Sequence, residues 1–305
     1  MLTTLTTIAE LRERLDQARA GGQRIGFVPT MGFLHAGHAS LMDAARAGND
    51  VVVTSIFVNP LQFAPNEDLD AYPRDISGDT ALAAEHGVDV VFAPTVAEMY
   101  PGGRVLTNVS VADVSAPLEG RARPTHFDGV ATVVAKLFSI VGPCRAYFGE
   151  KDFQQLAVVR RMVLDLSIPV EVVGCPTVRE SDGLAMSSRN AYLTPDERAA
   201  APVVHRALQA GVARIEAGER DPAAVRAVMA GVIDAEPLGQ LDYAEVVDAT
   251  SLAVPEPLAG TLRLLAAVRF GKARLIDNVA AEVPAEIPSA GAKAAPAGRM
   301  DTTWG

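Results

Sequence analysis

The chain has 305 residues and a formal charge of −10; about half of its residues are hydrophobic and a fifth charged. That length allows one large domain or two ordinary ones with ample core, and the composition is that of a soluble globular protein. The acid excess argues against a surface built to grip nucleic acid or anionic lipid, although a small basic pocket is compatible with it.

The first residues, "MLTTLTTIAELRERLDQARAGG", lack a basic start followed by an apolar core and do not read as a signal peptide. Ile8, Leu11 and Leu15 recur there at helical spacing. No stretch is apolar for long enough to span a membrane. Cys144 and Cys175 stand far apart without a CxxC pattern, so they read as buried small hydrophobes in a reducing compartment. The expected location is the cytoplasm.

From Arg24 to about Val173, short apolar runs alternate with helical stretches. "RIGFV", "DVVVTSIFV", "VDVVFA", "RAYFG" and "VEVVG" are rich in β-branched residues and apolar throughout, the pattern of strands buried on both faces. "HASLMDAARAG", "GDTALAAEHG", "GVATVVAKLFSIVG" and "FQQLAVVRRMVLDL" carry helical periodicity, several ending near a glycine. The alternation predicts right-handed βαβ units in a Rossmann-like, doubly wound parallel sheet. Ligands of such sheets bind beyond the carboxyl ends of the strands.

The pattern changes after "MSSRNAYLTPDERAA". Thr194 as cap, Pro195 in the first turn and Glu197 three residues past the cap predict one long helix over 194–218. A second helix, "PAAVRAVMAGVIDA", follows. "LDYAEVVDA", "LRLLAAVRF" and "ARLIDNVAAEV" predict a small antiparallel sheet, its last two strands joined through Gly271-Lys272. The expected organisation is a Rossmann-like domain over 1–180 and a smaller α+β domain over 181–283 that opens with the "MSSR" loop. The tail over 284–305 is rich in Ala, Pro and Gly and reads as disordered. No internal repeat is visible.

The chemistry concentrates where predicted strands end. "PTMGFLHAGH" at 29–38 follows the strand "RIGFV" and leads into a helix, whose first N–H groups and positive dipole end suit an anion. His35 and His38 flank that spot, and Gly37 removes a side chain so that a ligand can approach the backbone. A single histidine there would more often be a core or capping residue; the paired HxGH favours phosphate. Lys151 of "GEKD" would by itself be a solvated lysine. Gly149, however, ends a buried strand and Asp152 opens the next helix, which puts Lys151 at the ligand end of the sheet. Asp152 reads equally as a helix N-cap. No GxGxxG follows a strand, which disfavours a dehydrogenase.

"HAGH" resembles the HIGH signature of the nucleotidyltransferase superfamily. "LAMSSRN" at 184–190 resembles its KMSKS-like loop, with Arg189 where a lysine often stands. The longer strings "PTMGFLHAGH", "SIFVNPLQF", "YPR", "RPTHFDGV", "FGEKDFQQL", "RESDGLAMSSRN" and "LLAAVRFGKARLIDN" are similar to the pantoate–β-alanine ligase (pantothenate synthetase) family, from about residue 20 to residue 280. The resemblance implies a two-step reaction in pantothenate and coenzyme A biosynthesis. Pantoate's carboxylate attacks the α-phosphorus of ATP to give pantoyl adenylate and pyrophosphate, and the β-alanine amine then displaces AMP.

It also implies the site. His38, as proton donor, and His35, Lys151 and Arg189 are the expected catalytic residues. ATP is expected against Met31, Gly32, His35, Gly37, His38, Gly149, Glu150, Lys151, Asp152, Val178, Met186, Ser187, Ser188 and Arg189, with Asp152 on the ribose. Gln62, Gln155 and Asn59 are the expected substrate-binding residues: Gln62 and Gln155 for pantoate, Gln62 for β-alanine as well, and Asn59 as part of the same pocket. Neutral amides orient a nucleophilic carboxylate without binding its charge so tightly that attack is blunted. Arg123 and His126 suit either phosphate contacts or an exposed loop, and Asp79 is left without an assigned metal contact. Magnesium is expected to arrive on ATP through phosphate oxygens, with no protein ligand, and the family implies a homodimer. Two alternatives stand beside this reading: another adenylyl-transferring enzyme of the superfamily, or a non-catalytic nucleotide-binding sensor on the same fold. A phosphorylated acceptor would want more arginine than "NPLQF" and "FQQL" supply, and a sensor would not need both phosphate motifs intact. An aminoacyl-tRNA synthetase is disfavoured by the acidic charge and by the absence of an anticodon-binding region.

Overall fold

The computed structural model describes residues 2–63, 69 and 72–283; the tail expected to be disordered lies outside them. The first sheet has six parallel strands: β1 (Thr3–Leu5), β2 (Ile25–Thr30), β3 (Val51–Ile56), β4 (Val90–Phe92), β5 (Cys144–Gly149) and β6 (Val170–Cys175). Their order across the sheet is β1-β4-β3-β2-β5-β6. With the edge strand β1 set aside, the chain winds out one way from β2 to β4 and the other way from β5 to β6. The direction therefore reverses between β2 and β5, the switch point at which doubly wound sheets open a ligand crevice.

Helices cover both faces: α1 (Ile8–Ala20), α2 (Ala36–Gly48), α3 (Ile76–Glu85), the single turns α4 (Val96–Met99) and α5 (Glu119–Ala122), α6 (His126–Val141) and α7 (Phe153–Asp165). Adjacent strand residues point to opposite faces. Phe27, Val53 and Phe92 accordingly join Leu11 and Leu15 of α1 and the apolar side of α6. Their neighbours Val28, Val52 and Val91 join Leu41, Met42 and Ala45 of α2. Both faces being buried explains why these strands read as unbroken apolar runs.

Past Cys175 come α8 (Pro195–Ala200), α9 (Val203–Glu216), α10 (Pro222–Asp234) and three antiparallel strands, β7 (Gln240–Asp248), β8 (Gly260–Phe270) and β9 (Ala273–Val283), in that order. The β8–β9 hairpin turns at Gly271, whose φ of 52° is in the left-handed region. The second sheet packs its own core with α8–α10, yet Val247, Leu252 and Leu265 belong to the core of the first sheet.

Some expectations need correction. The helix predicted over 194–218 is two helices, because Pro202 has no N–H to donate and stands as the N-cap of α9. The Thr194 capping box is present, but it opens only the short α8. β1 has no counterpart among the predicted strands: three residues pairing with β4 leave no period to read. α6 starts at His126, ahead of the expected Gly129.

Candidate active site

β2 and β5 are neighbours, and the two loops that leave their carboxyl ends carry "HAGH" and "GEKD". The site thus forms at the switch point. His35 is the N-cap of α2; its Nδ1 accepts the Gly37 N–H at 3.1 Å. His38 reciprocates: its Nδ1 accepts the His35 backbone N–H at 3.3 Å. This is a capping box built from two imidazoles, with ring centroids 4.2 Å apart. An imidazole that accepts at Nδ1 and is neutral carries its proton at Nε2. Both rings therefore offer an Nε2–H donor.

Electrostatics keep them neutral. Burial, reinforced by His35 beside it, pushes His38 down to about 3. Burial and the Lys151 ammonium push His35 down as well. Gly37 is needed for the histidine cap itself, since a Cβ there would lie 2.8 Å from the His35 ring. This reason stands beside the expectation that it clears space for a ligand.

The loop before the histidines is held by Asp79. This buried carboxylate, in the first turn of α3, accepts the Phe33 N–H at 2.9 Å and the Leu34 N–H at 2.7 Å. Phe33 has φ of 52°, a strained value for a non-glycine residue, and Asp79 compensates it. With both carboxylate oxygens engaged, Asp79 acts as a loop clamp. Gly32, at φ of 85°, starts this turn beside Met31.

On the other side of the crevice Lys151 is largely buried, its Nζ 3.6 Å from an oxygen of the half-exposed Asp152. Asp152 occupies the N-cap position of α7, but its side chain caps nothing, so the capping alternative loses its basis. Partial burial pushes the Asp152 carboxyl up, but Lys151 and Arg189 outweigh that and hold it below the ordinary range. A Cβ on Gly149 would meet nothing within 4 Å. Neither packing nor backbone conformation demands glycine at that strand end, whereas a ligand lying over the backbone would.

The "MSSRN" segment closes the third side. Met186 donates its N–H to the Val178 carbonyl at 3.0 Å. Ser187 caps a 3-10 turn over Ser188–Tyr192 by accepting the Arg189 N–H. Arg189 is exposed and forms no salt bridge among the described residues, while its charge reaches Asp152 and Tyr72.

The polar floor comes from the turn after β3. Asn59 is buried and saturated: its amide donates to Gln62 Oε1 at 3.0 Å and to the Gly129 carbonyl, and accepts from the Leu61 N–H and the Tyr100 hydroxyl. Two donors and two acceptors are all an asparagine side chain has. Asn59 therefore corrects the expectation of a substrate ligand; it orients Gln62, whose Nε2 donors have no partner among the described residues and stay free for a substrate. The Gln62 carbonyl accepts from Arg123 at 3.1 Å and lies 3.1 Å from His126 Nδ1, and Arg123 also donates to His126 Nε2. His126 thus carries its proton on Nδ1, and the basic pair clamps the backbone of Gln62. α6 approaches this turn so closely that a Cβ on Gly129 would lie 2.1 Å from the Leu61 carbonyl.

The adjacent glutamines of α7 divide their roles. Gln154 is buried, accepting the Glu119 N–H and donating to the carbonyls of Val114 and Pro117. Gln155 is half-buried and has no side-chain hydrogen bond among the described residues. Glu119 in turn accepts from Arg274 at 2.6 and 2.9 Å and from Tyr243, tying the segment that leads to Arg123 to the second sheet. Sequence reading missed Asp79 as a clamp, the Glu119–Arg274 tie and Tyr72, which lies within electrostatic reach of Arg189, Asp79 and Asp152. All are long-range partners with no local signal.

A model of the pantoate–β-alanine ligase family matches residues 3–280. Pantothenate synthetase from Roseiflexus sp. (strain RS-1) is 57% identical over 282 residues, which is 92% of this chain and 100% of that one. The crystal structure of pantothenate synthetase from Thermus thermophilus is similar with a TM-score of 0.86 at 51% identity, covering 91% of this chain and 99% of that one. The pantoate–β-alanine ligase from Francisella tularensis, solved with β,γ-ATP and β-alanine, has a TM-score of 0.75 at 34% identity and covers 92% of this chain and 97% of that one.

Proposed function

The chain belongs to the pantoate–β-alanine ligase family, and we propose that its two histidines, Lys151 and Arg189 run the adenylating half of that reaction. It is an ATP-dependent ligase that joins pantoate to β-alanine. The observation that carries the assignment is the placement of "HAGH" and "GEKD" on the two strands that flank the switch point, with both imidazoles held as neutral Nε2–H donors.

Phosphoryl chemistry of this kind asks for positioning and charge stabilisation. ATP lies over Gly149 with its ribose on Asp152 and its α-phosphate on His35 and His38. Gln62 and Gln155 hold pantoate with its carboxylate in line behind the α-phosphorus. As the carboxylate attacks, negative charge grows on the phosphoryl oxygens, and the Nε2–H of His38 donates to it. The leaving pyrophosphate passes to Lys151, Arg189 and the hydroxyls of Ser187 and Ser188. β-Alanine then attacks the pantoyl carbonyl and AMP departs.

Magnesium fits this site as an ion carried by ATP. Magnesium is a hard cation that binds phosphate oxygens and keeps several of its waters, and Asp79 is already committed to the Phe33 and Leu34 N–H groups. When bound, the ion neutralises charge on the phosphates. The domain boundary near residue 180, a homodimer and a cytoplasmic location complete the reading; the described helices include none long and apolar enough to cross a membrane. The test is AMP formation from ATP, pantoate and β-alanine with each omitted in turn. The assignment requires all three, and AMP formation without β-alanine would contradict it.

A further inference from the structure

We propose that Asn278, on a strand of the second sheet, is a positioning residue that sets Lys151 at the phosphate site. The inference rests on the assignment of Lys151 to the departing pyrophosphate. Asn278 is buried, and its side-chain amide donates one proton to the Glu150 carbonyl at 2.9 Å and the other to the Lys151 carbonyl at 2.8 Å. Asparagine suits two adjacent carbonyls because its NH2 group carries two donors in one plane. Flipping the amide would set its oxygen against both carbonyls, so the geometry fixes its orientation.

Lys151 needs such an anchor. Its ammonium has one ion partner among the described residues, Asp152 at 3.6 Å, and its four-carbon stem is flexible. A lysine on a loose loop would spread its charge over a wide volume. The loop is pinned from β8 as well: Arg263 pairs with Glu150 at 2.7 Å while lying 4.0 Å over the Phe153 ring.

Strand β9, which carries Asn278, holds the other cationic loop as well. Asp277 accepts Arg179 at 2.6 and 2.9 Å, and Arg179 also donates to the Asn278 carbonyl. Arg179 opens the "RESDGLAMSSR" segment that ends in Arg189. Consecutive residues of β9 therefore fix the bases of both loops meant to take the pyrophosphate, and a charge held rigidly in place stabilises a transition state better than one that must be reorganised.

The test is a double-mutant cycle on pyrophosphate release from ATP and pantoate, using Asn278→Ala, Lys151→Ala and the double variant in single-turnover experiments at high enzyme concentration. Asn278→Ala is expected to slow release roughly 10- to 100-fold, by analogy with the range for partners that orient metal-binding side chains. In the Lys151→Ala background the same change should cost less than about threefold, because the residue it positions is gone. Aminolysis of supplied pantoyl adenylate by β-alanine should keep its rate in Asn278→Ala. Equal costs in both backgrounds, or equal damage to aminolysis, would overturn the proposal and leave Asn278 a structural residue. A normal rate for Lys151→Ala itself would instead remove the assignment of Lys151. If Asn278→Ala does not fold, Asn278→Ser, which keeps one donor, enters the same cycle. It must then show a smaller loss that also vanishes without Lys151.

Discussion

His38 receives the backbone N–H of His35 on its Nδ1, and His35 returns the cap by receiving the N–H of Gly37. Both rings are thereby committed to the Nε2–H tautomer before any ligand arrives. Nitrogen chemical shifts of imidazole-labelled protein should show two neutral Nε2–H rings at pH 7, with His38 still neutral at pH 5. An Nδ1–H tautomer at His38, or titration near pH 6.5, would contradict the geometry.

The same shift predicts an acid sensitivity. The folded His38 binds its proton only at about 3, whereas in the unfolded chain the ring protonates at about 6.5. Between those values the unfolded state binds more protons, so the contribution of His38 to stability is complete above about pH 6.5 and is lost as pH falls toward 3. Denaturant midpoints at pH 8 and pH 5 should therefore differ more for the wild type than for His38→Gln. Equal differences would mean that the ring titrates alike in both states.

His38→Ala should slow pantoyl adenylate formation by roughly a hundredfold, the usual cost of losing a donor that acts in the transition state. ATP affinity should change little, because the Lys151, Asp152 and backbone contacts remain. Losing one half of the cap should lower stability by about 1 kcal/mol. Normal turnover in a destabilised variant would make His38 purely structural.

If Gln155 holds pantoate as proposed, Gln155→Glu places a carboxylate beside the substrate's own, and like charges repel strongly in a partly desolvated pocket. Pantoate affinity should collapse while ATP affinity holds, as read by titration calorimetry. Gln154→Ala should behave differently. It strips partners from the Glu119 N–H and from the carbonyls of Val114 and Pro117, which costs roughly 1–3 kcal/mol of stability for a buried group left unpaired. If both variants lose pantoate alike, the division of roles between neighbouring residues fails.

Asp79→Ala should leave the Phe33 and Leu34 N–H groups without acceptors and release the strained turn at Phe33. Adenylation should fall with little change in the magnesium concentration that gives half-maximal rate. A large shift in magnesium requirement would return Asp79 to the metal.

The parallel sheet was legible because strands buried on both faces announce themselves as apolar runs, as "DVVVTSIFV" does. The site loops were legible because strand ends, histidines and glycines fall together in short strings. What escaped depends on distance in sequence. Nothing near Asp79 says that its carboxylate closes a turn at Phe33, and nothing in "NPLQF" tells Asn59, whose amide is saturated, from Gln62, which keeps free donors. The periodicity of 194–218 was real, but it spans two helices and the backbone breaks at Pro202.

In the proposed order of steps, pantoate's carboxylate reaches the α-phosphorus held by His35, His38 and Lys151 before β-alanine takes part. Isotope exchange between labelled pyrophosphate and ATP measures this directly. With magnesium and pantoate present and β-alanine absent, label should enter ATP, and the exchange should fall by about a hundredfold in His38→Ala. Exchange that needs β-alanine, or that runs without pantoate, would contradict this order of steps.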